Sequence, residues 1–371
     1  MDFDFSDEQE QLRDAVRKWV DKAYSFDEHR RIVADGGFSA SMYQALAELG
    51  LTGLYVQDAY GGMAMGPVEG MVVMEELGRG MLLEPLAHAW ISSAVLQGFA
   101  PEALKQAWLP RIASGEALVV LAQQERGLRY HLEHSHTTGS EDNGVWHVSG
   151  HKSLVAAGDQ AHAFLVPAMY QGQLAMFLVA RSNATDTSRS YHAQDGSRMS
   201  ELVLNNAPAE LLSLHGLAAS QLGVDVGIAA LCAEAVGLME KTLGLTAEYM
   251  NTRKQFGVPI AAFQALQHRA ADMKMQLELG RSMSYYATLK LNAAADERSL
   301  AMSRAKLQMG RSTRHVGQEA VQLHGGIGVT DEYIVSHCFK RLTQMEMTFG
   351  DSLHHLGQVS AHMQETAGVF A

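Results

Sequence analysis

The chain is short of cysteine, of positive charge and of long apolar runs, and each shortage closes off a class of function. Cys232 and Cys338 are the only cysteines in 371 residues. Two isolated thiols in helical pattern suit core packing in a reducing compartment and give no disulfide framework. Lys and Arg number 29 against 41 Asp and Glu, a formal net charge of −12. With no Lys/Arg run to offset it, that balance disfavours nucleic acid and anionic membrane surfaces as partners. The start, Met1-Asp2-Phe3-Asp4-Phe5, lacks the basic residues of a signal or transit peptide, and no uninterrupted apolar run reaches the roughly 20 residues of a membrane span. A cytoplasmic protein is expected. No Gly-rich loop leads from a strand into a helix, so a Rossmann-type nucleotide site is not supported. Internal repeats and low-complexity segments are missing too.

What is present is a helix–strand–helix order. Hydrophobic content of 47% and charge of 19% are those of a globular protein large enough for two or three domains. Ser6-Asp7-Glu8-Gln9 is a capping box opening a helix through Ala23, with Leu12, Val16 and Val20 on one face. Further helices are expected over 39–49, stopped by Gly50, and over 69–78 and 85–97. From about Leu118 the pattern shortens. Strands are expected over 117–123, 144–149, 163–166, 173–179 and 200–204, with the Ser/Thr/Asp-rich stretch 182–197 as an exposed loop. Helical periodicity returns near Ser220. Helices over 222–251, 263–292, 300–323 and 331–363 predict an antiparallel four-helix bundle. The fold class expected is α+β: an N-terminal helical domain (1–117), a middle β-barrel or sandwich domain (118–215) and a C-terminal bundle (216–371).

Two Gly-containing turns interrupt the bundle sequence: Thr252-Arg253-Lys254-Gln255-Phe256-Gly257-Val258-Pro259-Ile260 and Gln322-Leu323-His324-Gly325-Gly326-Ile327-Gly328. A guanidinium such as Arg253 can hold a pyrophosphate through forked, charge-assisted hydrogen bonds. Gly325-Gly326 allows close approach of backbone N–H groups to a ligand. The plainer reading is an exposed helix-end Arg and a Gly C-cap, which requires neither the second Gly nor the nearby Gln. Together, in this order, the pair resembles the flavin-binding signature of the acyl-CoA dehydrogenase family, and the resemblance extends over essentially the whole chain. It implies FAD as cofactor, with Arg253, Gln255, Phe256 and Gln264 reaching it across a dimer interface and Gln322, Gly325 and Gly326 alongside. It also implies an acyl-CoA substrate and an electron-transfer flavoprotein as acceptor.

Several positions depart from that family's pattern. Trp146 to Gly158 resembles the strand and turn lining the flavin ring, but Leu154 stands where a Trp is usual and Ala156 where a Thr or Ser is usual. Gln124 keeps hydrogen-bonding capacity toward flavin, whereas Arg129 and Tyr130 replace small residues beside the acyl-CoA path. Removal of a proton α to a thioester needs a carboxylate. The resemblance puts Phe349 at the usual Glu position and Gly227 at the alternative one, and neither can take a proton. Asp351 is the substitute to test, its other reading being a helix N-cap. Asp225 and Glu234 are the other nearby carboxylates. The ending Phe349-Gly350-Asp351-Ser352-Leu353-His354-His355 resembles the Glu-lacking subunit of two-component acyl-CoA dehydrogenases, such as the pimeloyl-CoA type and those acting on steroid side chains. That implies a homo-oligomer or a hetero-oligomer with a Glu-bearing relative. The alternatives are a self-sufficient flavoenzyme using Asp351 or another base, and a non-catalytic scaffold that has kept the shape. His131, His134 and His136 lie close together, the last two on one expected strand face, but nothing of known spacing completes a metal site.

Overall fold

The computed structural model describes residues 5–183 and 186–367. The acidic start at Met1–Asp4 lies outside the described residues. In chain order the helices are α1 (Asp7–Ala23), α2 (Phe26–Ala34), α3 (Ala40–Glu48), α4 (Pro67–Gly80), α5 (Leu86–Phe99) and α6 (Glu102–Ala113). The strands β1 (Val119–Leu121), β2 (Thr138–Asp142), β3 (Val145–Ala156), β4 (Ala163–Tyr170), β5 (Gln173–Ala180), β6 (Asp186–His192) and β7 (Arg198–Ser213) follow. Then come α7 (Gly216–Thr252), the short strands β8 (Lys254–Gln255) and β9 (Val258–Pro259), α8 (Gln264–Lys290), α9 (Ala295–His324), α10 (Ile334–Met347) and α11 (Ser352–Ala367). They form two compact units, one of Met1–Arg30, Pro67–Leu82 and Ile228–Ala371, the other of Arg31–Gly66 and Leu83–Gly227.

The second unit holds the sheet. Strand β4 pairs β5, β5 pairs β7, β7 pairs β3, β3 pairs β2, and β2 returns to β4 through the single pair Thr138–Met169. The ring is therefore closed, with β1 added parallel to β4 and β6 added to β7. Val148, Val155, Phe164, Phe177 and Leu202 fill its interior, all essentially without solvent exposure. Beside it, Trp90 of α5 is fully buried and donates from Nε1 to the Leu51 carbonyl at 2.7 Å. Ser92 Oγ on the same helix donates to the Val119 carbonyl at 3.0 Å, tying α5 to β1.

The first unit is helical. The capping box is formed as expected, with Gln9 N donating to Ser6 Oγ at 3.3 Å and Ser6 N to Gln9 Oε1 at 3.0 Å. Helices α4 and α7 cross so closely that a Cβ on Gly237 would sit 1.7 Å from the Glu75 carbonyl oxygen, which excludes every other residue there. Helix α7 is long and apolar enough by length and composition to cross a membrane, although Asp225 and Glu234 interrupt its apolar run. Yet 94% of its apolar window is buried within the protein.

Three expectations change. The 182–197 stretch is not simply a loop: β6 runs through it and pairs β7 from Asp186–Val203 to His192–Arg198. Polar composition does not prevent this, because an added strand on a ring needs backbone groups and only one covered face. The fourth bundle helix is two helices, α10 and α11, broken at 348–351. There Phe349 has φ 58° and Gly350 φ 114°, values no α-helix can contain. His134 and His136 lie in irregular chain rather than on a strand.

Candidate cofactor and substrate sites

In the helical unit, α7 ends at Thr252 and the chain turns through the β8–β9 hairpin. Gln255 pairs with Val258, so Phe256 and Gly257 form the two-residue turn. Both have positive φ, 53° and 82°, as a type I′ turn demands. Glycine accepts this conformation freely. Phe256 does not, and its side chain is 92% exposed, touching Phe263 edge-on at 6.1 Å. Arg253, Gln255 and Gln264 are all exposed. The Arg253 guanidinium has no ion-pair partner among the described residues.

The second turn lies at the same end of the bundle. Tyr249, one turn before Arg253, stacks on His324 with ring centroids 4.4 Å apart, and Tyr333 closes against His324 at 5.3 Å. Burial holds the His324 imidazole below its ordinary pKa, and Nδ1 donates to the Ala320 carbonyl at 2.8 Å. Gly325 follows with φ 63° and ψ −140°, a backbone state essentially reserved for glycine. A methyl group on Gly325 or Gly326 would meet no atom within 4 Å, and Gln322 is exposed beside them. An exposed unpaired guanidinium, an exposed aromatic and bare backbone under open space suit a ligand with a pyrophosphate and a flat ring system. The residues fit FAD.

The break between α10 and α11 is firmly held. Fully buried Lys306 donates from Nζ to the Glu346 and Gly350 carbonyls, both at 2.8 Å. Burial pushes its pKa down to about 8. His355, held near 3 by burial and by the Lys306 charge, is neutral and donates from Nε2 to the Phe349 carbonyl at 3.0 Å. Phe349 is half-buried, and no carboxylate stands at its position. Asp351 Oδ1 accepts from His354 N at 2.8 Å, the N-cap arrangement for α11. Glu234 is buried in an ion pair with Arg341, whose Nε donates at 2.9 Å.

In the sheet unit, Gly227 is buried in α7, and buried Asp225 accepts from Gln221 Nε2 at 2.9 Å. The barrel carries an open cleft of about 460 Å³. Its floor comes from a bulge in β3: Lys152 pairs with Leu202 and Val155 with Ser200, leaving Ser153 and Leu154 outside the register. Leu154 takes φ 53° and is 47% exposed into the cleft, its N–H donating to Tyr191 Oη at 3.3 Å. Gln124 also lines the cleft, so the structure brings these two expected residues together. Ala156 does not line it. This residue ends β3 opposite Met199.

Under the floor lies a buried ion pair that the sequence did not reveal. Lys152, fully buried, donates from Nζ to Glu125 Oε1 at 2.6 Å and to the Pro167 carbonyl at 2.7 Å. Burial lowers its pKa to about 8, the carboxylate only partly opposing this. Burial would raise Glu125, but the Lys152 charge and hydrogen bonds from Lys152, Ser135 and His136 N outweigh it and hold the carboxyl at about 2. The pair and its network lock the loop after β1 onto β3. Tyr191, Glu201, Arg126 and Arg189 were not anticipated either. They arrive from β6, β7 and that loop, and share no local motif.

Over residues 6–116 the chain matches the family model for the acyl-CoA dehydrogenase N-terminal domain, and over 215–364 that for the acyl-CoA dehydrogenase C-terminal domain. It is 28% identical over 351 residues to acyl-CoA dehydrogenase FadE12 of Mycobacterium tuberculosis, covering 89% of each chain. Against probable acyl-CoA dehydrogenase YngJ of Bacillus subtilis it is 27% identical over 371 residues, 95% of this chain and 97% of that one. Among solved structures it superposes on a Tcur3481–Tcur3483 steroid ACAD variant with TM-score 0.90 and 26% identity, covering 97% and 99% of the two chains. The ChsE4–ChsE5 complex from Mycobacterium tuberculosis, at TM-score 0.88 and 24% identity over 99% and 100%, shares the fold.

Proposed function

This chain belongs to the acyl-CoA dehydrogenase family of flavoprotein oxidoreductases, and on that premise we propose that it is the FAD-binding subunit of a heteromeric acyl-CoA dehydrogenase, lacking a base of its own. The observation that carries the reading is the 348–351 joint. Family resemblance puts the proton acceptor at residue 349, and the side chain there is Phe. The nearest carboxylate in sequence, Asp351, has one oxygen committed to the α11 N-cap. Asp225 and Glu234 are buried and bonded to Gln221 and Arg341. A group with no proton affinity near the acyl α-carbon leaves α,β-dehydrogenation to a partner.

In this reading Arg253 clamps the FAD pyrophosphate, Gly325 and Gly326 let backbone N–H groups approach it, and Gln255, Gln264 and Gln322 hydrogen-bond around it. The exposed, strained Phe256 projects from the hairpin tip to cover a cofactor shared with a second subunit. Gln124 hydrogen-bonds the flavin, Leu154 covers its ring, and Ala156 offers only backbone groups at its edge. The chemistry a bound FAD supplies is acceptance of a hydride from the acyl β-carbon. Likeness to a steroid ACAD with two named components and to the ChsE4–ChsE5 complex supports a two-component assembly. A Glu-bearing relative is the proposed partner, with electron-transfer flavoprotein as acceptor and the cytoplasm as location.

The test is anaerobic flavin reduction by acyl-CoA, followed by absorbance, with the chain alone and with a Glu-bearing relative. FAD uptake without reduction by the lone chain, and reduction on adding the partner, is the expected result. Rapid reduction in the lone chain refutes the missing base; absence of flavin binding in both samples refutes the whole reading.

A further inference from the structure

In a chain with 12 more acidic than basic formal charges, the barrel cleft gathers three guanidiniums: Arg126, Arg129 and Arg189. The two acids lining it are already engaged. Glu125 faces down onto Lys152 at 2.6 Å. Glu201 meets His151 Nε2 at 2.6 Å and Arg126 at 3.6 Å. Arg129 and Arg189, both exposed into the cleft, have no ion-pair partner among the described residues. Like charges converging without a counter-charge repel each other, and a fixed anion removes that cost. Arg129 moreover holds φ 47°, a left-handed state that a side chain other than glycine enters only under strain. The same wall carries Tyr191, whose hydroxyl donates to Glu201 Oε1 at 3.4 Å, and Leu154 as an apolar base.

We propose that Arg129 and Arg189 receive an oxyanion, a phosphate or a carboxylate, carried by the ligand of this cleft. Resting on the family reading, that ligand is an acyl-CoA, and the oxyanion belongs either to the CoA portion or to a carboxylate at the far end of the acyl chain. A guanidinium fork can grip such a group through parallel charge-assisted bonds, a geometry lysine does not supply. The floor is rigid because the Lys152–Glu125 pair beneath it fixes both the loop bearing Arg129 and the bulge bearing Leu154. The extra charge thus acts in specificity, selecting what enters.

Calorimetric titration of the purified, FAD-supplemented protein tests this without relying on turnover. The probes are CoA, a straight-chain acyl-CoA and an ω-carboxyacyl-CoA of equal length. Wild type is compared with R129Q, R189Q, the double variant, and R304Q as a charge-matched control on the helical unit. Each is checked for unaltered melting, and the single variants stand in should the double variant misfold. The double variant is expected to lose about ten- to hundredfold in affinity, the loss shrinking as salt rises. Equal loss for all three probes assigns the oxyanion to CoA. Loss confined to the ω-carboxyacyl probe assigns it to the acyl terminus. Wild-type affinity retained in R129Q/R189Q for every probe overturns the proposal and leaves the family reading intact. Failure of wild type to bind any CoA probe overturns that reading instead. Inorganic pyrophosphate and glutarate then decide: binding abolished in the double variant supports the oxyanion receptor, and no binding in either sinks it.

Discussion

The Lys306 ammonium and the Gly350 carbonyl meet at 2.8 Å inside the helical unit, at the one point where the last bundle helix is cut in two. With its second bond, to the Glu346 carbonyl, Lys306 replaces intrahelical partners that the break removes. Lys306→Met leaves both carbonyls without this donor, at about 1–3 kcal/mol after allowing for relief of the buried charge. Urea unfolding should show that loss, and hydrogen exchange should accelerate across 348–352. Unchanged exchange there would show that the joint does not depend on Lys306.

Gly325 and Gly326 separate folding from ligand binding. Gly325→Ala forces a side chain into φ 63°, ψ −140°, and should destabilise the fold by about 1–3 kcal/mol. Gly326 carries no such restriction, and its surroundings are open. Gly326→Ala should therefore melt like the parent yet take up FAD at least several-fold more weakly. Equal FAD affinity would remove this turn from the cofactor site.

Asp351 has two readings with opposite mutational signatures. As an N-cap it tolerates Asn within a few tenths of a kcal/mol, whereas Asp351→Ala costs about 1 kcal/mol. Any acyl-CoA reduction of flavin should be unaffected by Asp351→Asn. Abolition of reduction with stability intact would make Asp351 the proton acceptor after all.

Glu75 supplies a pH dependence. It lies buried in the helical unit, where loss of solvation raises its pKa to about 7 against the opposing pull of Arg281, 3.7 Å away. A carboxyl whose folded pKa lies above its unfolded value binds its proton more tightly when folded. Its contribution is complete below about pH 4.5 and is lost as pH climbs through 7. Between pH 5 and 8 the parent should lose on the order of 1–3 kcal/mol that Glu75→Gln keeps. Parallel pH profiles for the two proteins would exclude this ionisation as the cause.

The sequence is most legible where the chemistry is local. The Ser6–Gln9 capping box, strands β4 and β5, parts of β3 and β7, and three long bundle helices follow from spacing within a dozen residues, whereas the exposed strand β2 does not. Strand β6 escapes because Ser, Thr, Asp and Arg also make loops, and only its partner β7 settles the matter. The split after α10 escapes because helical periodicity runs through Phe349, a residue that rarely adopts φ 58°. Resemblance brought out Gln124 and Leu154, which share the cleft. Local pattern missed Tyr191, Glu201 and Arg189, because four separate segments converge there. The Lys152–Glu125 pair shows only in space, where a stretch spanning a separation of 27 residues folds back on itself.

The ring of strands closes through one residue pair, Thr138–Met169, and its β3–β7 ladder carries two offsetting irregularities, an extra residue in β7 between Ala207 and Leu204 and one in β3 between Lys152 and Val155. A free sheet absorbs a surplus by slipping its edge. A closed one cannot, since a slip at any strand must travel all the way round. The two irregularities restore the register between them, and the one in β3 is the Ser153–Leu154 bulge, which turns position 154 outward. A substitution at position 154 therefore alters the surface over the cleft, while the pairs on either side, Lys152–Leu202 and Val155–Ser200, hold the register of the barrel.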